Sequence, residues 1–277
     1  MFYITSLTIA GSDCSGGAGI QADIKTMSAL GVYSASVITA ITVQNTTGVK
    51  SFFPVPHYVV KDQIQSVLSD ICPKTIKIGM VNDSATIHAI VDAISDYSCS
   101  GIVIDPVMAA TSGENLMKSN AIEAFCSELL PLATIVTPNI PEAEILSGVK
   151  INNINSIRIA AHNIAKYGCR NILIKGGHHL GSIKTDYLFD FTSSPYFEHS
   201  FTDDTVDTIN THGTGCTLSS AIAANLARGM NITDAVSYAK HYVTQALIAA
   251  KDVKIGNGYG PVNHFFAPEP LIKRTEM

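Results

Sequence analysis

Short β-branched runs alternate with amphipathic stretches along most of the chain. The runs have the length and composition of buried strands, and the stretches repeat apolar residues at the helical period. Strands are predicted at residues 7–10, 36–43, 75–79, 101–104, 134–136 and 171–174, and helices at 19–30, 61–71, 84–94, 120–130 and 155–167. This order predicts an α/β fold with a mainly parallel sheet covered by helices.

The alternation of strand and helix patterns ends after the last of these strands. Residues 187–209 are predicted to form a meander of short strands, and two long helices are predicted at 217–228 and 233–251. Gly256, Gly258 and Gly260 then follow one another too closely for a helix to continue, so they predict a loop. Because no linker, charge block or internal repeat divides the sequence, one domain over residues 1–277 is expected.

Composition and charge narrow the class of protein. The chain has 277 residues, 46% of them hydrophobic and 15% charged, and a net charge of −5, so a nucleic-acid partner is not expected. Its six cysteines and nine histidines are scattered, which argues against a disulfide framework or a zinc site. No apolar run reaches the length of a membrane span, and the first residues lack a secretory leader. A cytoplasmic protein without a membrane partner is expected.

Residues 210–216, N-T-H-G-T-G-C, directly precede a predicted helix. The free N–H groups and the positive dipole end of that helix would bind an anion, such as a phosphoryl group in transfer. The loop would consist of Gly213, Thr214 and Gly215. The positive dipole end of the helix also favours the ionised thiol, so it predicts a thiolate at Cys216. The alternative is an ordinary glycine turn followed by a buried cysteine.

Residues 11–19, G-S-D-C-S-G-G-A-G, follow the first predicted strand. The spacing from Gly11 to Gly16 imitates a phosphate-binding P-loop, but Gly17 and Ala18 stand where that motif needs Lys and Ser/Thr. The pattern G-x-G-x-x-G is absent as well. We therefore expect this loop to approach a substrate with its backbone rather than to grip a nucleotide, the alternative being a structural turn.

Three further strand ends carry polar side chains. Asp105 and Glu142 could hold a hydrated magnesium ion, while Asn139 and Lys175 could contact phosphate oxygens. Each has an ordinary alternative, because a strand can end on Asp-Pro, Glu142 could be a first-turn helix acid and Lys175 could point to solvent. Together with the glycine loop, the set predicts phosphoryl transfer from a magnesium nucleotide.

Seven segments of the chain, in order along it, resemble one known family. They are residues 10–23, 44–46, 77–80, 105–108, 137–139, 175–178 and 210–216, and they resemble the bacterial hydroxymethylpyrimidine/phosphomethylpyrimidine kinases of thiamine biosynthesis, which belong to the ribokinase-like superfamily. The resemblance extends over about residues 5–265. It implies a three-layer α/β/α fold, a homodimer, and two ATP-dependent, magnesium-dependent phosphorylations. The first acts on 4-amino-5-hydroxymethyl-2-methylpyrimidine, and the second on the resulting monophosphate.

The resemblance also implies roles for individual residues. Gln44 would read the aminopyrimidine edge, with one donor and one acceptor for the ring nitrogen and the amino group. The remaining roles are ring packing by Gly11, Ala18, Met80 and Val107, magnesium binding by Asp105 and Glu142, phosphate and nucleotide binding by Asn139, Lys175 and Thr214, an anion hole at Gly213 and Gly215, and a base at Cys216 where the wider superfamily has aspartate. Core filling is an equal explanation for Met80. Asp23 also matches the family, but a solvated acid on the first helix is the more ordinary interpretation.

One segment departs from the family, and other functions stay open. Many relatives carry a lysine near Thr111 in the expected flap at residues 109–114, A-A-T-S-G-E. Pyridoxal kinases of the same superfamily share several of these motifs, so a pyridine alcohol is an alternative substrate. Thiol acyl transfer or redox chemistry at Cys216 is a second alternative, with His212 nearby, and a ligand sensor without enzymatic activity is a third.

Overall fold

The structure is a computed structural model, and it describes residues 1–109, 116–176 and 183–275. Its strands are β1 (Phe2–Tyr3), β2 (Thr5–Asp13), β3 (Tyr33–Asn45), β4 (Gly48–Pro54), β5 (Thr75–Ile78), β6 (Gly101–Ile104), β7 (Ile135–Val136), β8 (Asn171–Ile174), β9 (Ile183–Asp190), β10 (Phe197–Asp204) and β11 (Lys273–Arg274). Its α-helices are α1 (Gly19–Ala29), α2 (His57–Asp70), α3 (Ser84–Ile94), α4 (Ser119–Ala124), α5 (Ile140–Ser147), α6 (Ile154–Ala165), α7 (Thr214–Ala227) and α8 (Ile232–Ala250).

A nine-stranded sheet in the order β10-β9-β8-β7-β6-β5-β2-β3-β4 forms the middle of the molecule. The strands from β8 to β3 in that order are parallel to one another. At one edge β9 and β10 continue the sheet antiparallel, and at the other edge β4 pairs antiparallel with β3. The prediction of a mainly parallel sheet is confirmed, and the predicted meander is the β9–β10 hairpin.

Helices cover both faces of this sheet, which explains why a central strand such as β6 carries apolar side chains on both of its faces. In β6, Ile102 and Ile104 pack into one core together with residues of α2, α3, α5 and α6. Val103, between them, points to the opposite core, which α1, α7 and α8 complete. Successive side chains of a strand face opposite sides, so the two cores alternate along it. The arrangement is a three-layer α/β/α sandwich.

Several boundaries differ from the sequence prediction. The helix predicted at 120–130 is α4, followed by a π-helical segment, Phe125–Leu129, and a 3₁₀ turn, Leu130–Leu132. Pro131 lies in that turn and cannot donate an α-helical hydrogen bond, so the regular helix ends before it. Four elements were missed: the two-residue strands β1 and β11, and also β4 and α5. Gly168, with φ of +104°, follows the end of α6 in a backbone conformation that favours glycine.

Some predicted features lie outside the described residues. They include Thr111 and most of the expected flap, and also Gly177 and His178 of the segment that follows β8. Among the helices that the structure does describe, none has both the length and the apolar surface that a membrane crossing would require.

Candidate active site

A cavity of about 770 Å³ opens where the parallel strands end. Residues that follow parallel strands meet at one edge of a sheet, and open α/β sheets bind their ligands there. The cavity wall contains all the residues that the sequence analysis put forward, namely Gly11, Ala18, Gln44, Met80, Asp105, Val107, Asn139, Glu142, Lys175, Gly213, Thr214, Gly215 and Cys216. The fold thus brings together residues from both ends of the chain.

Two carboxylates converge on one lysine at the ends of β6, β7 and β8. Lys175 Nζ lies 2.8 Å from Asp105 Oδ1 and 3.9 Å from Glu142 Oε2. Thr137 Oγ1 also donates a hydrogen bond to Asp105 Oδ1, at 3.2 Å, and the Asp105 side chain is almost fully buried. The alternative that Lys175 points to solvent is therefore wrong, because its side chain is only 15% exposed and forms an ion pair with Asp105.

The charges of this cluster depend on one another. Burial disfavours the ionised form of Asp105, but Lys175 and Lys77 outweigh it and lower the pKa of Asp105. Against the effect of burial, the carboxylates of Asp105 and Glu142 raise the pKa of Lys175 above its usual range. Burial and the charge of Asp105 raise the pKa of Glu142 to about 7, although Lys175 opposes the shift. Glu142 is thus the member of the cluster whose charge changes near neutral pH.

Glu142 has a second function, at the start of α5. Asn139 is the N-cap of this helix: its Oδ1 accepts a hydrogen bond from Glu142 N at 2.9 Å, and Glu142 Oε2 accepts one from Asn139 N at 2.7 Å. This reciprocal capping box fixes both side chains at the edge of the cavity. Glu142 is thus a first-turn helix acid, as its ordinary alternative had it, and it also faces Lys175. Magnesium binding by Glu142 stays a prediction.

The glycine loop at 210–216 leads directly into α7, as predicted. Gly213, with φ of +83°, is the N-cap, and Thr214 is the first helical residue. The loop borders the charged cluster: a Cβ built on Gly215 would lie 3.5 Å from Asp105 Oδ2 and 3.6 Å from Lys175 Nζ. N–H groups in the first turn of a helix have no acceptor within the helix, so this end of α7 offers donors beside a lysine.

The prediction of a thiolate at Cys216 is wrong for this structure. Lys77 and the backbone N–H of Gly19, at the start of α1, both favour the thiolate form of Cys216. Burial is the larger effect, and the charges of Asp23 and Asp105 add to it, so the pKa of Cys216 is raised to about 11. Lys77 and the Gly19 N–H do not offset the burial of the thiol.

Asp23 is not a solvated acid. It is fully buried, and its carboxylate receives Lys77 Nζ at 2.9 and 2.7 Å and Thr8 Oγ1 at 2.5 Å. Ser220 in α7 donates to the same carboxylate. The sequence analysis also missed Lys77, which is fully buried at the cavity wall. A signal existed, since a lysine between two isoleucines of a buried strand requires a partner of opposite charge.

Part of the cavity wall is apolar. Met80 is 7% exposed and belongs to a small cluster with Ala40 and Leu116, against which Val107 packs. Gly11 approaches this wall closely, because a Cβ there would lie 2.9 Å from Met80 Sδ. Met80 therefore both fills a core and lines the cavity.

Gln44 lies near the end of β3, where the pairing with β4 shifts register after Val43. The Cys14 thiol donates to Gln44 O at 3.0 Å and so ties this strand end to the loop after β2. The Gln44 side chain is half-buried and lines the cavity. An amide donor and acceptor thus adjoin the apolar wall.

Comparison with known proteins decides the family. A family model described as phosphomethylpyrimidine kinase matches residues 13–263 of this chain. The chain belongs to the phosphomethylpyrimidine kinase family. One relative is a hydroxymethylpyrimidine/phosphomethylpyrimidine kinase of Rhizobium meliloti. It is 48% identical over 261 residues, which cover 94% of this chain and 96% of that protein.

Other members of the family and its structural neighbours differ in length and substrate. The thiamine biosynthesis bifunctional protein ThiED of Geobacter sulfurreducens is 46% identical over 97% of this chain, which spans 54% of the length of that relative. The pyridoxal kinase from Staphylococcus aureus, solved in complex with pyridoxal, matches with a TM-score of 0.85 and 35% identity, covering 96% of this chain and 94% of that chain. The expected ribokinase-like fold is confirmed.

Proposed function

We propose that the protein transfers the γ-phosphoryl group of ATP to 4-amino-5-hydroxymethyl-2-methylpyrimidine and then to the resulting monophosphate, a reaction sequence of thiamine diphosphate biosynthesis. One domain over residues 1–277 would carry both steps. The observation that supports this most is that one cavity contains both an apolar wall with the Gln44 amide and a group of Lys175, two carboxylates and the N-terminus of α7. Family membership supports the same substrate class.

Asp105 and Glu142 fit a magnesium site. No cluster of three or more metal-ligating side chains occurs in the described residues, but Mg²⁺ commonly uses one or two carboxylates and takes its other ligands from water and phosphate. Both carboxylates already face a cationic group, the Lys175 ammonium. When bound, Mg²⁺ would neutralise charge on the transferring phosphates.

Lys175 and the start of α7 would bind the transferring group itself. Charge that develops on the γ-phosphoryl oxygens is stabilised most by donors that are fixed before the reaction. The Lys175 ammonium is held by Asp105 at 2.8 Å, and Gly213 and Gly215 hold the loop beside it. Asn139 and Thr214, at the first turns of α5 and α7, would contact the nucleotide phosphates.

The two phosphorylations differ in their need for a base. The first attacking group is an alcohol, which must lose a proton as the new P–O bond forms. Cys216, which lines the cavity at the start of α7, would accept that proton. The second attacking group is a phosphate oxygen that is already anionic at neutral pH, so it needs no base.

Gln44 would select the aminopyrimidine edge. Replacing it with leucine should raise KM for the pyrimidine by about 10- to 100-fold, because two paired hydrogen bonds of roughly 1 kcal/mol each are lost and substrate polar groups stay unpaired. Steady-state kinetics with varied pyrimidine measures this. The control is Gln65→Leu, the same change at an exposed position of α2. Equal KM values for both variants would contradict the role of Gln44.

A product analysis tests the function as a whole. The protein is incubated with MgATP and equal amounts of 4-amino-5-hydroxymethyl-2-methylpyrimidine and pyridoxal, and the products are identified by mass spectrometry. Pyrimidine mono- and diphosphate are expected. Pyridoxal phosphate as the main product would overturn the substrate assignment, and absence of any phosphorylated product would overturn the kinase assignment.

We also propose that the protein is a homodimer. We place it in the cytoplasm, because the proposed reaction consumes ATP. Ile41, Val43 and Phe53 expose between 42% and 63% of their surface on the β3–β4 hairpin, at one edge of the sheet. A second copy would cover these apolar side chains. Light scattering should give twice the mass of the chain, and Phe53→Asp should shift the mass toward that of a monomer.

A further inference from the structure

The loop after β2 and the loop before α7 are joined by a hydrogen bond between Asp13 and His212 that the proposed mechanism does not use. We propose that Asp13 and His212 are positioning residues: their pairing holds the first glycine loop (residues 11–19) against the anion loop (residues 210–216), so that the substrate alcohol and the transferring phosphoryl group are aligned. This inference rests on the proposed function, because it assigns the two loops to the two reactants.

Asp13 collects donors from its own loop. Its Oδ2 accepts hydrogen bonds from Gly17 N at 3.0 Å and Ala18 N at 2.8 Å, and its Oδ1 accepts from Ser15 N at 2.8 Å and Ser15 Oγ at 2.7 Å. The side chain is 2% exposed. These hydrogen bonds wrap the loop around one buried carboxylate, and they fix Ala18 directly before α1 at the cavity wall.

His212, which comes from a distant part of the chain, forms a further hydrogen bond with the Asp13 carboxylate. Its Nε2 lies 2.8 Å from Asp13 Oδ2, and its side chain is 15% exposed. Burial opposes the ionised form of Asp13, but hydrogen bonds from His212, Ser15 and Ala18 lower the pKa of Asp13 far below its usual range. An ionised carboxylate only accepts, so His212 Nε2 must carry the proton and donate it.

The backbones of the two loops are also in direct contact. A Cβ on Gly213 would lie 1.8 Å from Gly17 O, and one on Gly17 would lie 2.4 Å from His212 Cδ2. Gly213 additionally has φ of +83°, which favours glycine. The hydrogen bond between His212 and Asp13 therefore joins two loops that already touch at Gly17 and Gly213.

This connection matters because the loops serve different reactants. Gly11 and Ala18 line the cavity beside the apolar wall, while Gly213 and Gly215 border Lys175. Phosphoryl transfer requires the attacking oxygen and the phosphorus to be aligned within a fraction of an ångström, and a misplacement of about 1 Å costs on the order of 10²-fold in rate. Asp13 and His212 would set that alignment before the reactants bind.

The test uses His212→Ala, with His212→Gln as the conservative variant that keeps a donor N–H. We expect His212→Ala to lower kcat for both phosphorylations by about 10²-fold, and His212→Gln to recover most of it. The control is His88→Ala, which removes a histidine paired with a carboxylate, Glu128 at 3.1 Å, on the exposed surface. His88→Ala should leave both rates unchanged.

Amide hydrogen exchange of the segment around residues 13–19 gives a readout that does not depend on activity. His212→Ala should speed exchange at Gly17 and Ala18, whose N–H groups the Asp13 carboxylate holds, while the core strands stay protected. Unchanged exchange, or equal kinetic losses in the Gln and Ala variants, would overturn the inference. If the wild-type protein phosphorylates no pyrimidine but exchange at Gly17 rises in His212→Ala, the proposed function fails while the connection between the loops stands.

Discussion

Asp23→Leu should destabilise the protein by about 3–5 kcal/mol, which is the usual cost of leaving a buried charge without its partner. Lys77 and Asp23 are both fully buried and lie 2.7 Å apart. The substitution leaves the Lys77 ammonium enclosed without a counter-charge, and Thr8 and Ser220 lose their acceptor. Urea unfolding followed by circular dichroism measures the free energy of unfolding.

The control is Asp92→Leu, which breaks an exposed pair of the same chemistry with Lys61. This change should cost less than about 1 kcal/mol, because water screens and solvates exposed charges. The double variant Asp23→Leu/Lys77→Met should recover part of the loss, since it removes both charges. Equal effects of Asp23→Leu and Asp92→Leu would mean that the buried pair contributes no more than a surface one.

Cys216→Ala should slow the first phosphorylation far more than the second. A positioned base contributes about 10²- to 10⁴-fold, and only the alcohol needs one. The base is active when deprotonated, and the pKa of Cys216 is about 11, so the rate of the first step should rise with pH from 7 toward 10. Cys216→Ala should remove this rise, and the second step should lack it. Single-turnover measurements over this pH range, starting separately from the alcohol and from the monophosphate, check both statements.

Cys126→Ala is the matched control for this pH profile. Burial also raises the pKa of Cys126 to about 11, but this thiol belongs to the core beneath the sheet rather than to the cavity. Its removal should leave the alkaline rise of the first step intact. A Cys216→Ala enzyme with equal losses in both steps, or with the rise preserved, would contradict the assignment of Cys216 as the base.

The elements that the sequence predicted best are those whose signals are local. The helix at 84–94 has both predicted ends, because Asp83 accepts a hydrogen bond from Thr86 N and apolar residues repeat behind it. β4 was missed because it is an exposed edge strand that includes Lys50 and Ser51. α5 was missed because Pro141 indicates a break, although proline is tolerated in the first helical turn.

In the candidate site, too, local signals were predicted from the sequence and contacts between distant segments were not. The rule that ligands bind at strand ends selects Asp105 and Lys175 from sequence, and both line the cavity. The protonation of Cys216 could not be predicted, because it depends first on burial in the folded chain and then on the charges of Asp23 and Asp105, which come from distant parts of the chain. The pairing of Asp13 with His212, 199 residues apart, leaves no pattern in either segment.

The order of strands in the sheet has a consequence for folding during synthesis. From β5 to β10 each new strand pairs with the one made just before it, so the sheet can grow at one edge as the chain emerges. α7 and α8, however, are made last, and the core that they complete is covered by α1 alone until then. At ribosomal rates the 199 residues between Asp13 and His212 take roughly 10 to 40 s. For that time β2, and for shorter times the strands made after it, present apolar side chains on this sheet face to non-native contacts.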